Sequence, residues 1–207
     1  MHELILVRHG HSQHMALNMA GGWVQTPLTD LGRRQAERTA AHLREMLAGR
    51  TVRLVASDLE RAAETARELG RQLGIQPELT HGLREQSLGV ANDLSNEQAQ
   101  KVALNPNCGH AVDRVWFPGA ETWREMMHRV FTCLDNLDHQ TPGTVVAVSH
   151  AGAGTCMIFW WLRLFPDQWP GIQFELDLCS LTTLSIGEHD GRRVMRLNDT
   201  RHLAGID

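Results

Sequence analysis

Short continuous apolar runs alternate along this chain with stripes of apolar residues spaced three and four apart, the pattern of strands and helices in turn. Leu4-Ile5-Leu6-Val7 is the first run. It is too short for a helix, partly β-branched and bounded by a Gly-containing polar segment, so it predicts a buried strand of a parallel sheet. Thr29 then reads as an N-cap, with Ala36, Ala40, Leu43 and Leu47 on one face of a helix ending near Ala48. Residues 52–56 predict a second strand. Ser57 or Asp58 is placed to cap the next helix, whose stripe is Ala62, Ala66, Leu69 and Leu73 and whose stop is Gly74. Residues 75–80 are a weaker third strand. Trp123, Met127, Val130, Leu134 and Leu137 mark a long helix from about Gly119. The strongest strand is 144–149, followed by helix-like residues over 156–164. Two closing strands, 180–186 and 193–197, flank a turn at 188–191.

This alternation predicts an α/β fold, a three-layer αβα sandwich with a mostly parallel central sheet. No repeat or linker divides residues 1–207, which read as a single domain. Residues 87–118 lack periodicity and are rich in Asn and Gly, so they predict a partly helical insertion lying over the sheet and its active site. With 42% hydrophobic and 21% charged residues, the composition is that of an ordinary soluble globular protein. A formal charge of −4 offers no global attraction to nucleic acid or a membrane. An anion site here must therefore gather its positive charge locally. Cys108, Cys133, Cys156 and Cys179 form no C-x-x-C pair and predict reduced thiols in a cytoplasmic protein. The apolar stretches near Leu4 and near Met157 are too short for a signal segment or a membrane span. A homodimer stays open.

Open α/β sheets bind ligands at the carboxyl ends of their strands, and there the polar residues are informative. The first strand ends in Arg8-His9-Gly10-His11-Ser12, the second in Ser57-Asp58 with Arg61 a turn later, and the fourth in Ser149-His150-Ala151-Gly152. Two histidines and two arginines then converge on one crevice. Arginine presents a planar fork of donors suited to phosphate oxygens. Gly10, Ala151 and Gly152 would let backbone N–H groups approach an anion. The spacing His9-x-His11-x-x-His14 also allows a metal cluster, but no accompanying Asp or Cys ligand pattern supports one, and no metal is expected.

In combination these segments are recognisable. Arg8-His9-Gly10, Thr26-Pro27-Leu28-Thr29 with Gly32, Ser57-x-x-x-Arg61-Ala62-x-x-Thr65, Leu83-Arg84-Glu85 and Ser149-His150-Ala151-Gly152 occur in that order. The chain thereby resembles the histidine phosphatase superfamily, also called phosphoglycerate-mutase-like, over nearly its whole length. The resemblance implies that His9 is a nucleophile attacking phosphorus through one ring nitrogen while a backbone carbonyl holds the other. It implies that Arg8, Arg61 and His150 bind the phosphoryl oxygens, and that Glu85 gives a proton to the leaving oxygen and later activates water. Gly10, Ser12 and Ala151 join the phosphoryl contacts; His11 and Gln25 fall at the rim. No cofactor is implied, and the partner is a small phosphorylated substrate.

The sequence departs from the family pattern at the rim. His11 stands where Glu or Gln commonly follows, Met15 near a usual Asn, Gln25 for a common Asp, and 89–93 lacks a second Glu after Glu85. These changes bear on the substrate rather than the reaction. A metal-independent phosphomonoesterase is the favoured reading. A phosphoglycerate mutase is the alternative, disfavoured by the shorter chain and the absence of Tyr. A non-catalytic phospho-ligand binder is the third, disfavoured because Arg8, His9, Arg61, Glu85 and His150 are all present. Trp23, Trp160, Trp161 and Trp169 raise the further expectation of an aromatic lining that favours aryl leaving groups.

Overall fold

The computed structural model describes residues 1–105, 110–141, 143–168 and 171–206. Strand β1 (Glu3–Arg8) leads through a short helix α1 (Gln13–Ala16) to helix α2 (Asp30–Met46). Strand β2 (Val52–Ser57), helix α3 (Glu60–Leu73) and a short strand β3 (Glu78–Thr80) follow. Helices α4 (Asn96–Val102) and α5 (Trp123–Gln140) lead to β4 (Thr144–Ser149) and α6 (Ala151–Leu162). Strands β5 (Leu181–Ile186) and β6 (Arg192–Asp199) close the sheet.

The six strands lie in the order β3-β2-β4-β1-β5-β6. The four from β3 to β1 are parallel, and β5 and β6 add on antiparallel. Every residue of β4 is buried because both faces of the strand are covered. Ile5, Val7, Val146 and Val148 pack against α2 and α3. Leu4, Leu6, Val145 and Ala147 pack against α5 and α6. Each such Val, Leu or Ile contributes roughly 1.5–3 kcal/mol of burial. This is the expected three-layer arrangement. After β1 the chain turns to one face of the sheet and after β4 to the other, so a crevice opens between their carboxyl ends.

Several boundaries differ from the sequence pattern for local reasons. Neither Ser57 nor Asp58 caps α3, whose cap residue is Leu59 with no side-chain bond. The Gln25 side-chain oxygen accepts the Glu60 N–H at 2.9 Å instead, while Asp58 pairs with Arg84 at 2.6 Å. Helix α5 starts at Trp123 rather than near Gly119, because Thr122 and Glu125 form a reciprocal capping box. Helix α6 begins at once after His150 and stops at Arg163, which adopts a left-handed conformation with φ 60°. Strand β3 is only three residues long. Within 87–118 the described residues form two single 3₁₀ turns around α4, and Asn96 and Leu94 bond to Asn18 and Ala20 of the loop after β1. Cys108 and Trp169 lie outside the described residues; Cys133, Cys156 and Cys179 are free thiols.

Candidate active site

β1 and β4 deliver His9 and His150 to one place, with ring centroids 5.0 Å apart. His9 is buried, and its Nδ1 lies 2.8 Å from the Gly10 carbonyl oxygen. A carbonyl only accepts, so Nδ1 carries the proton and Nε2 keeps its lone pair. That lone pair accepts from Arg61 Nε at 3.2 Å. Arg61 is itself buried and held by Nη1 on the Val24 carbonyl (2.9 Å) and Nη2 on the Gly22 carbonyl (2.7 Å). Thr65, one turn further along α3, donates to the Arg61 carbonyl and accepts the Gly10 N–H at 3.2 Å. The spacing Arg61-x-x-x-Thr65 thus locks α3 onto the loop that carries the nucleophile candidate. Burial, then Arg61 and Arg8, hold the His9 pKa well below its ordinary value. Burial also lowers Arg61 to about 10, against the pull of Glu85, so it remains cationic at neutral pH.

His150 is fully buried, with Nε2 2.8 Å from Ser57 Oγ. Ser57 Oγ accepts the Leu59 N–H at 3.3 Å, and among the described residues its own proton has no acceptor but His150. The hydroxyl therefore donates to Nε2, which puts the ring proton on Nδ1. Nδ1 is buried with no partner among the described residues, and so is Arg8 Nε. The other side of Arg8 is anchored through Nη1 on the Leu176 carbonyl at 2.5 Å. Two buried donors without acceptors are costly unless a ligand supplies oxygens. The His150 ring lies 5.0 Å from that of His9, and the Arg8 charge acts on the same imidazole.

Glu85 reaches this crevice from the loop after β3. Its carboxylate accepts from Gly152 N (3.0 Å) and Ala153 N (3.2 Å) at the start of α6, and from Gln86 N (2.9 Å). The first turn of α6 therefore holds the Glu85 carboxyl group rather than a ligand anion. A Cβ on Gly152 would collide with Glu85 Oε1. Gly152→Ala is expected to fold with a near-normal Tm but lose about 100-fold in kcat on alkyl phosphates, the usual scale for a misplaced catalytic group. Steady-state rates beside a melting curve check this; unchanged rates would show that Glu85 does not need its seat on α6.

A model of the histidine phosphatase superfamily (branch 1) matches residues 4–200. The chain belongs to the histidine phosphatase superfamily. It is 31% identical over 177 residues to glucosyl-3-phosphoglycerate phosphatase of Mycolicibacterium vanbaalenii, covering 81% of this chain and 77% of that protein. Its identity to the probable phosphoglycerate mutase GpmB of Yersinia enterocolitica is 28%, covering 98% and 95%. The solved structure of a mycobacterial glucosyl-3-phosphoglycerate phosphatase complexed with VO3 superposes with a TM-score of 0.80 at 26% identity, covering 97% of this chain and all of that one. This member of the superfamily is a phosphoric monoester hydrolase.

The structure of this phosphatase reassigns several residues expected at the pocket. The Gly10 N–H is taken by Thr65 and the Gly152 N–H by Glu85, so neither is free for an anion. His11 docks α2: its N–H donates to Gln35 Oε1, its Nδ1 lies 2.8 Å from Thr29 Oγ1, and its carbonyl accepts the Thr29 N–H. Gly32 allows this close approach, since a Cβ there would strike the His11 carbonyl. Ser12 is buried and bonded to His14, and Gln25 is exposed and bonded to α3. Ala151 sits half-buried as the first residue of α6. Trp160 and Trp161 pack in the core under Arg192, far from any role as pocket lining, with Trp160 Nε1 on Asp135. Trp23 is joined to the site, donating from Nε1 to the Glu85 carbonyl at 2.6 Å while Arg84 covers its ring at 5.0 Å. Among the described residues no group of His, Cys, Asp or Glu could hold a metal ion. No described helix is long and apolar enough to cross a membrane.

The buried imidazoles make stability depend on pH. Unfolded, each takes a proton near pH 6.5. Folded, His9 and His150 resist it, chiefly through burial and then through Arg61. The unfolded state therefore binds more protons as pH falls, and stability drops by about 1.4 kcal/mol per pH unit for each such group below 6.5. Together they predict that stability falls as the pH is lowered from 7 to 5. Denaturant unfolding at the two pH values measures it, and equal midpoints would contradict neutral burial.

Proposed function

We propose that this phosphatase moves the phosphoryl group of a small phosphorylated metabolite onto His9 Nε2 and then to water, with no metal taking part. The observation that supports this most is the pair of unpartnered buried donors, Arg8 Nε and His150 Nδ1, in the same site as an imidazole whose Nε2 is unprotonated and bonded only to the Arg61 guanidinium among the described residues. As the Nε2–P bond forms, the P–O ester bond breaks and Glu85 gives its proton to the leaving oxygen. In the second step the Glu85 carboxylate takes a proton from water, whose oxygen bonds to phosphorus as the N–P bond breaks. Phosphate leaves and Glu85 is again protonated. Arg8, Arg61 and the His150 N–H stabilise charge on the non-bridging oxygens in both steps, where one donor is worth about 3–4 kcal/mol.

Phosphorylated sugar acids head the candidate substrates, because the mycobacterial relatives are named for glucosyl-3-phosphoglycerate. A cytoplasmic setting fits the three free thiols among the described residues. Phosphate release across a panel of sugar, sugar-acid, nucleotide and aryl phosphates, run with EDTA, tests the proposal. Turnover that survives EDTA, with highest kcat/KM on a small metabolite, is expected. Loss of activity in EDTA would overturn the metal-free route, and transfer to an acceptor faster than phosphate release would favour a mutase.

A further inference from the structure

His14, on the short helix α1, is used by none of the steps above, yet it stands at the site. Its ring centroid lies 6.1 Å from that of His9 in an edge arrangement, and it is half-buried. Nδ1 lies 2.9 Å from Ser12 Oγ, with Thr26 Oγ1 further off at 3.4 Å. Ser12 is fully buried, and its hydroxyl has no acceptor among the described residues except this nitrogen. Ser12 therefore donates to Nδ1, and the ring proton sits on Nε2. No described residue pairs with Nε2. The turn beside it holds two successive glycines with φ of +92° and +58°, and at the first of them, Gly21, a Cβ would lie 3.3 Å from Nε2. The next residue, Gly22, supplies the carbonyl that anchors Arg61. The free edge of His14 thus shares its turn with the guanidinium that meets the nucleophile.

We propose that His14 is a substrate-contacting residue whose Nε2–H, aimed by Ser12, donates to the phosphoryl oxygens alongside Arg8, Arg61 and His150. The proposal rests on the reading of this crevice as the phosphoryl site. The charge environment agrees with it. Burial, then Arg61, Arg8 and His11, lower the His14 pKa to about 4, so the ring is neutral and donates one hydrogen at working pH. The charged and titratable groups that act on it, Arg61, Arg8 and His11, are cationic or imidazole, which makes an anion the complementary occupant. His14 repeats the device seen at His150, where a buried serine fixes one ring nitrogen and leaves the other N–H without a protein acceptor.

Two substitutions separate this role from packing. Asparagine at 14 can put an amide where Nδ1 sits and keep the Ser12 contact, but it has nothing at the position of Nε2. Glutamine reaches the Nε2 position with an N–H donor. Kinetics with p-nitrophenyl phosphate and competitive inhibition by inorganic phosphate are measured at pH 7, with Tm recorded for each variant. His14→Asn is expected to weaken inorganic phosphate and lower kcat/KM by about tenfold or more, the scale for a hydrogen bond to a charged group, whereas His14→Gln stays within about threefold of wild type. Wild-type behaviour of His14→Asn with an impaired His14→Gln would assign His14 to packing and overturn the proposal, as would two variants that both match wild type. His9→Ala is run in parallel. If it is inactive while both His14 variants behave as wild type, only the His14 inference fails; if it retains turnover, the phosphoryl reading itself fails.

Discussion

His9→Ala is expected to lower kcat by at least about 10⁴-fold on every substrate while leaving the fold intact, the order seen when a covalent nucleophile is removed. The size follows from what His9 is asked to do. The Gly10 carbonyl on Nδ1 keeps the proton off Nε2, which accepts from Arg61 Nε, so no deprotonation precedes attack. Arg8, Arg61 and His150 survive in the variant and still bind phosphate, because each is anchored elsewhere: on Leu176, on Gly22 and Val24, and on Ser57. The loss should therefore appear in kcat, with inorganic phosphate still bound. Removing a buried ring leaves a cavity of a type that costs about 2–5 kcal/mol, so Tm must be measured beside the rates. Residual turnover within tenfold of wild type would transfer the nucleophile to another group.

The second large effect belongs to Glu85, and it depends on the leaving group. Glu85→Gln keeps one oxygen for the Ala153 and Gln86 N–H groups, which share Oε1, and loses the acceptor for the Gly152 N–H on Oε2; the amide stays partly seated on α6 and has no proton to release, so Tm is recorded beside the rates. For an alkyl phosphate the departing oxygen needs that proton, and kcat is expected to fall about 10²–10⁴-fold, the range of general acid catalysis. For p-nitrophenyl phosphate the departing oxygen is stable as an anion, and the first step should change little. Water attack on the phosphoenzyme still needs a base, so the aryl substrate should show a burst equal to the enzyme concentration followed by a slow rate. A uniform loss across leaving groups, with no burst, would make Glu85 a structural cap of α6 and no proton carrier.

The layered fold could be read from the chain because its signals are local. Leu4–Val7 and 144–149 are apolar on both faces, and only burial between two helical layers accommodates that. The positions of His9, Arg61 and His150 followed from the same strands, since a strand end fixes where the next side chains go. What escaped sequence reading depends on partners distant along the chain. Ser57 has the chemistry of a cap, but His150, 93 residues away, claims its hydroxyl. The first turn of α6 carries no stripe that marks a start; Glu85, 67 residues earlier, bonds its amides. Gly10 and Gly152 read as anion contacts because glycine has no side chain to obstruct its N–H, yet Thr65 and Glu85 accept those N–H groups. Trp160 and Trp161 are close to His150 in sequence but point into the α5–α6 core. His14 carried only a metal-like spacing, and its free Nε2 edge shows only once Ser12 and the Gly21–Gly22 turn are in place.

Phosphohistidine at position 9 is the claim on which everything else depends. Rapid quench of wild type and Glu85→Gln with a labelled aryl phosphate, followed by peptide mapping, tests it most directly. One acid-labile, base-stable phosphoryl group per chain on the peptide containing His9 is expected, accumulating in Glu85→Gln and absent from His9→Ala. Label on a different residue, or turnover with no labelled protein at any time, would contradict it.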